Sequence, residues 1–241
     1  MVMLKQLSHK IFQHFGFDVK RYTKANFISL KRKSIIQSRG INLVLDVGAS
    51  EGHYALELRK MGYQGRIMSF EPLSPSFMIL QKKAKIDPFW VCEQLAIGDY
   101  DGEAEINVSG RMTSSSLLPI LPLHISTCPE SAYTSKEKVR VAKIDSLAEK
   151  LINPGDKIFL KADVQGYEKQ VLKGAEKVMA YVWAVELELS FLPLYDGAPL
   201  ACEMLDCLKS MNFVPVAFNS VLIDPDTEHL LQIDGLFVRK A

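Results

Sequence analysis

Acids that close apolar runs are the residues of this sequence whose types and spacing could do chemistry. Asp46 ends a run rich in branched side chains, and Gly48 and Gly52 follow at a spacing of four, with Ser50 between them. A carboxylate there can accept hydrogen bonds from the hydroxyl or amino groups of a ligand. Two glycines allow unusual dihedrals and let a ligand lie against the backbone, and a helix beginning near Ser50 would aim free N–H groups at the same crevice. Taken alone, the pattern is also that of an ordinary tight turn after a strand. Glu71 closes a second short run, roughly 20 residues beyond the glycines, where nucleoside-binding folds hold ribose hydroxyls; an N-cap or a surface acid is the alternative. Ile97-Gly98-Asp99 closes a third, where an adenine ring could lie against backbone and carboxylate.

Three more acids lie downstream. Asp163 ends the run Ile158 to Ala162, and Gly166 marks another close turn after it. Lys161 and Asp163 share one face by the strand period of two, as do Glu186 and Glu188 in the run Val182 to Ser190. Acids inside a parallel strand are costly unless paired or used. A salt bridge to Lys161 or a helix cap competes with catalysis for each. By strand-end geometry Asp163 is placed first as base or acceptor-positioning group and Glu188 second, with Lys161 tuning Asp163 by its charge. His53 lies just past the glycine turn and is a weaker candidate.

The elements that must position these residues alternate. Strands are expected at Ile41–Asp46, Arg66–Phe70, Trp90–Ala96, Glu103–Val108, Val139–Ile144, Ile158–Asp163 and Val182–Ser190. Helices are expected at Tyr54–Met61, Ser76–Ala84, Ser146–Leu151 with Asp145 as N-cap, Glu168–Leu172 and Leu200–Met211. Strand–helix alternation implies a parallel sheet covered on both faces. Phe213–Phe218 and Gly235–Lys240 lie too close for a helical crossover, so they are expected to pair antiparallel. Gly110–Lys138, with six serines, three prolines and five Leu or Ile between 117 and 123, reads as a lid or short helix over the site.

The 241 residues, 48% hydrophobic, suit a basic helical extension over 1–40 and one domain over 41–241. The formal net charge of +1 does not point to nucleic acid. It is uneven, however: residues 1–40 sum to +8 and the remainder to −7. The basic leader could touch anionic lipid heads or acidic partners, although a solvated helical pair against the domain is the simpler reading. Its apolar residues recur at helical spacing between Lys and His, unlike a secretory signal, and no window holds the ~20 apolar residues of a membrane span. Cys92, Cys128, Cys202 and Cys207 lack metal-ligand spacing and read as reduced core thiols in a cytoplasmic protein.

In this order and spacing, Leu45-Asp-Val-Gly-Ala-Ser-Glu-Gly, Ser69-Phe-Glu-Pro, Ala96-Ile-Gly-Asp and Leu160-Lys-Ala-Asp-Val-Gln-Gly-Tyr-Glu resemble the FkbM-type methyltransferases. Val171-Leu-Lys-Gly-Ala-Glu, Glu188-Leu-Ser with Pro193-Leu-Tyr, and the closing Leu231-Gln-Ile-Asp-Gly-Leu-Phe-Val-Arg fit as well. The resemblance covers roughly residues 41–240 and departs at Ser50, usually Asn, and at Ala162, usually larger. It implies an α/β fold of the Rossmann-like class I methyltransferase type, a mostly parallel sheet with a C-terminal antiparallel hairpin and helices on both faces. It also implies S-adenosylmethionine as cofactor, held by Asp46, Gly48, Ser50, Gly52, Glu71 and Asp99, and methyl transfer to oxygen on sugars or polyketide-like products. Some O-methyltransferases use a divalent metal, but nothing here has dedicated ligand spacing and no metal is assigned. Two rivals stand beside this reading. A nucleotide-dependent oxidoreductase lacks its tight Gly-x-Gly-x-x-Gly here. A catalytically silent adapter would keep the fold and bind a partner through its basic leader.

Overall fold

The computed structural model describes residues 27–240 together with His14. Residues 1–13 and 15–26, on which most of the expected basic leader falls, lie outside the described residues, and none of the described helices is long and apolar enough to cross a membrane. From residue 27 on, the described residues open with α1 (Ile28–Arg39) and then alternate: β1 (Leu43–Val47), α2 (His53–Lys60), β2 (Arg66–Phe70), α3 (Ser74–Ala84), β3 (Trp90–Glu93). After β4 (Ala96–Ile97), β5 (Gly102–Ser109), α4 (Pro122–Thr127) and β6 (Tyr133–Ala142), alternation resumes. It continues with α5 (Ile144–Leu151), β7 (Ile158–Ala162), α6 (Glu168–Lys173), β8 (Val182–Ser190), α7 (Ala201–Ser210), β9 (Phe213–Ile223) and β10 (Leu230–Arg239).

Seven strands form one sheet in the order β3-β2-β1-β7-β8-β10-β9. The first five are parallel, and β10 runs antiparallel to both β8 and β9. Every residue of β1 and β7 is buried, which is why these strands read as unbroken apolar runs rather than alternating ones. The period of two still divides the core. Leu43, Leu45 and Val47 pack with α5, α6 and α7, whereas Val44 packs on the opposite face with α1, α2 and α3. Strand order reverses between β1 and β7, and ligands of open α/β sheets bind beyond the carboxyl ends at such a point.

Several expectations are corrected. The single strand expected over Trp90–Ala96 is two: Leu95 donates its N–H to Glu71 O at 3.3 Å, and β4 leaves the main sheet to pair with β6. β4, β6 and β5 build a separate three-stranded sheet, and β6 begins six residues before the expected Val139. The 110–138 segment carries the expected short helical turns only between Met112 and Ser131, its last residues belong to β6, and two of its serines are structural. Ser116 and Ser131 are buried, and Ser131 Oγ donates to Cys128 O at 2.6 Å. Among the cysteines, Cys202 is exposed, so it is no core thiol. Asp145 is no N-cap but lies within α5, and its carboxylate accepts from the N–H groups of Lys177 and Val178 at 3.0 Å each. Asp145→Ala is expected to cost about 1 kcal/mol and to lower the melting temperature by about 2–4 °C. Scanning calorimetry checks this; an unchanged midpoint would refute it.

Candidate active site

The floor of the site is a buried charge network at the ends of β1, β2 and β7. Asp46 is fully buried, and its Oδ2 accepts from Ser69 Oγ at 3.1 Å. Ser69 Oγ in turn accepts from the Trp90 indole N–H at 3.0 Å. Lys161, opposite Asp46 in the β1–β7 register, brings Nζ within 3.4 Å of Asp46 Oδ1 and donates to Gly48 O at 2.9 Å. Burial works against its charge, but Asp46 and Asp163 outweigh that and hold its pKa above the ordinary value. Asp46 shifts upward as well, pushed by burial and restrained by Lys161. Asp46 does not line the first cavity; with Lys161 it fixes the shape of the glycine turn.

Gly48 has φ +72°, and a Cβ there would stand 1.9 Å from the Asp163 carbonyl oxygen. The missing side chain lets the turns after β1 and β7 touch, which sets Asp163 beside Gly48. Gly52, φ +82°, packs against Leu80 and Trp90 rather than facing the crevice. The expected free N–H groups are also spoken for: Ser50 N–H donates to Glu71 Oε2 at 2.8 Å, and α2 starts only at His53.

Above this floor lies a partly open cavity. Gly48, Ser50, Glu71, Asp163 and Gln165 supply its polar side, and Leu73, Ile97, Ile106, Met112 and Leu117 its apolar side. Glu71 is buried and holds the Ser50 and Leu73 N–H groups, the latter at 2.9 Å. Burial nonetheless pushes its carboxyl up to about 7, against the pull of those N–H groups. The apolar roof comes from the three-stranded sheet and the segment after β5, tied down by Ser116 Oγ donating to Gln165 O at 2.7 Å.

A second cavity, of about 240 Å³, opens on the other side of Asp163. It is lined by Asp163, Gln165, Glu188, Gln232, His124 and Arg111 among others, and Asp163, Gln165 and Thr113 face both cavities. Gln165, at φ +56°, bridges the two acids: its Nε2 is 2.8 Å from Asp163 Oδ1 and 2.8 Å from Glu188 Oε2. Tyr195 OH, buried, donates to Gln165 Oε1 at 2.7 Å, and Gln232 Nε2 reaches Glu188 Oε2 at 2.9 Å. Burial, then the charges of Asp163, Glu168 and Asp234, raise the Glu188 pKa well above the usual carboxylate range. Burial and Arg111 push His124 down to about 4.

Of the residues singled out from sequence, Gly48, Ser50, Glu71, Asp163 and Glu188 are brought to these two connected cavities. Asp46 and Lys161 lie beneath them. Asp99 is exposed, with Lys173 4.0 Å away, and Gly52 is in the core. His53 is a surface residue 3.5 Å from Glu51. Glu186 is paired not with Lys161 but with Arg32 of α1, Nε to Oε2 at 2.7 Å, and with Tyr54 OH at 3.0 Å. Sequence reasoning missed Gln165, Tyr167, Tyr195, His124 and Gln232. Gln165 and Tyr167 sit inside the motif around Asp163, and Tyr195 and Gln232 inside the later stretches Pro193-Leu-Tyr and Leu231-Gln-Ile-Asp, so these four carried a signal; His124 had none.

A doubly wound sheet with this strand order, an antiparallel last pair and a cavity at the β1–β7 reversal defines the Rossmann-like fold of class I methyltransferases. The methyltransferase FkbM domain matches residues 46–215, and the chain belongs to that family of methyltransferases. No curated protein matches in sequence. Among solved structures, the chain is similar to magnesium protoporphyrin IX methyltransferase from Synechocystis PCC 6803 with bound SAM. There the identity is 10% over 98% of this chain and 97% of that one, with a TM-score of 0.47. It is also similar to 1,6-didemethyltoxoflavin-N1-methyltransferase from Burkholderia thailandensis, at 10% identity over 100% of this chain and 89% of that one, TM-score 0.46.

Proposed function

We propose that the chain is an S-adenosylmethionine-dependent O-methyltransferase whose acceptor is a hydroxyl of a saccharide or polyketide-like natural product. One observation carries this reading: Asp163 faces both cavities, standing where a cofactor in the first would meet an acceptor in the second. The first cavity suits an adenosyl group. Glu71 offers a carboxylate for ribose hydroxyls, and Leu73, Ile97 and Leu117 offer an apolar slot for a planar ring. S-adenosylmethionine supplies a methyl carbon and its own thioether leaving group, so the protein's task is alignment and removal of one proton. Asp163 accepts that proton as the acceptor oxygen bonds to the methyl carbon. Lys161, held under the turn, keeps positive charge 3.8 Å from Asp163 Oδ2. The apolar roof excludes water.

Calorimetry with S-adenosylhomocysteine tests the cofactor half. Ribose hydroxyls donating to Glu71 favour its ionised form, so binding must expel the proton that Glu71 holds below about 7. Affinity is therefore expected to rise with pH from about 4.5 to 7 and to level off above, with proton release visible as a buffer-dependent heat. Glu71→Ala is expected to weaken binding by about 1–3 kcal/mol and to abolish the release. No heat at any pH would refute the assignment.

A further inference from the structure

We propose that the second cavity is built for a vicinal diol, with Asp163 facing the hydroxyl that is methylated and Glu188 holding the hydroxyl on the neighbouring carbon. This deepens the proposed function and rests on Asp163 being the group that meets the acceptor. It selects a saccharide-like acceptor over one bearing an isolated hydroxyl.

The spacing of the two acids carries the inference. A single amide nitrogen, Gln165 Nε2, lies 2.8 Å from an oxygen of each, so those oxygens are at most twice that distance apart. Hydroxyls one carbon–carbon bond apart can each reach one of the two acids at about 2.7 Å. The bridge is locked. Tyr195 OH fixes the amide from the far side at 2.7 Å, and Gly166 at φ +93° lies against the Tyr195 ring, where a Cβ would be 3.2 Å from Tyr195 Cβ. Asp163 and Glu188 thus present a pre-set pair of positions rather than two independent side chains.

The remaining hydrogen-bonding capacity points the same way. Glu188 Oε2 already takes the amides of Gln165 and Gln232, which leaves Oε1 without a protein partner among the described residues. Dense packing and three nearby acids favour the protonated form of Glu188, which donates where Asp163 accepts, so the two carboxyls suit two hydroxyls in different roles. His124 is 3% exposed, lines the same cavity, and its Nδ1 has no hydrogen-bond partner. A buried, uncharged ring with an idle nitrogen suits a further hydroxyl of a polyhydroxylated ring. A site of this kind discriminates strongly, because an acceptor lacking the second hydroxyl leaves its buried polar groups unpaired.

The test uses protein saturated with S-adenosylhomocysteine and ligand-observed NMR titrations of cis-1,2-cyclohexanediol, trans-1,2-cyclohexanediol and cyclohexanol. One of the diols is expected to saturate at least tenfold more tightly than cyclohexanol. That preference is expected to vanish in Glu188→Leu and to shrink in the shape-preserving Glu188→Gln, while both variants keep wild-type S-adenosylhomocysteine affinity as proof of folding. Equal binding of diol and mono-ol overturns the proposal, as does a preference that survives Glu188→Leu or a failure of both diols to saturate. Failure of S-adenosylhomocysteine itself to bind would instead sink the underlying functional reading.

Discussion

Asp163→Asn is expected to slow methyl transfer by about 10²–10⁴-fold while leaving S-adenosylhomocysteine affinity within twofold of wild type, the size of effect usual for losing a general base. The variant keeps the side-chain shape, and its amide can still meet Gln165. What it loses is the ability to take the acceptor proton. The alternative is that Asp163 serves only as a partner of Lys161, 3.8 Å away. In that case Asn would lower stability and leave turnover nearly intact. Initial rates with a panel of saccharides, then polyketides, decide between these outcomes. A folded variant turning over a true acceptor at the wild-type rate would exclude the base role of Asp163.

Arg32→Met is expected to be the most damaging single change to stability. Arg32 and Glu186 are both buried, and the guanidinium meets the carboxylate twice, at 2.7 and 2.5 Å. Tyr54 adds a third contact: its ring lies under Arg32 at 4.6 Å and its hydroxyl donates to Glu186. Removing one partner strands a charge in the core, at a cost of about 3–5 kcal/mol. For a chain of this length that lowers the melting temperature by roughly 10 °C. The double variant Arg32→Met with Glu186→Leu is expected to recover most of the loss, because the pair itself is close to neutral against apolar replacements. A single variant melting within a degree of wild type would show that Glu186 finds another partner or a proton. Arg32 lies within the stretch read from sequence as an extension, so truncation after residue 40 is expected to be as harmful as the point change.

Much of the fold was legible, and for one reason. Strands buried on both faces, β1, β2, β7 and β8, print themselves as apolar runs, and the acids at or just beyond their ends mark the crevice. β6 failed by the same logic. Tyr133 to Lys138 is mostly exposed and carries Ser, Lys and Glu, so no hydrophobic signal announces a strand whose cohesion comes from pairing with β5. The contacts within the site were legible only where they are local. Asp163 and Gln165 lie in one motif, but Glu188, Tyr195 and Gln232 reach them from positions up to 44 residues further on than their partners. Arg32 and Glu186 are 154 residues apart, and period and composition cannot pair residues at that distance.

The three-stranded sheet has a core of its own, Leu73, Ala96, Ile106, Val139 and Val141, small beside the two clusters that flank the main sheet. Roof and floor of the first cavity are therefore parts of unequal strength. The weaker part can come apart while the stronger stays whole. If that part opens to pass a ligand, the hold of five apolar side chains sets how often it does so, and a conservative change such as Ile106→Val is expected to act as a tap on product release.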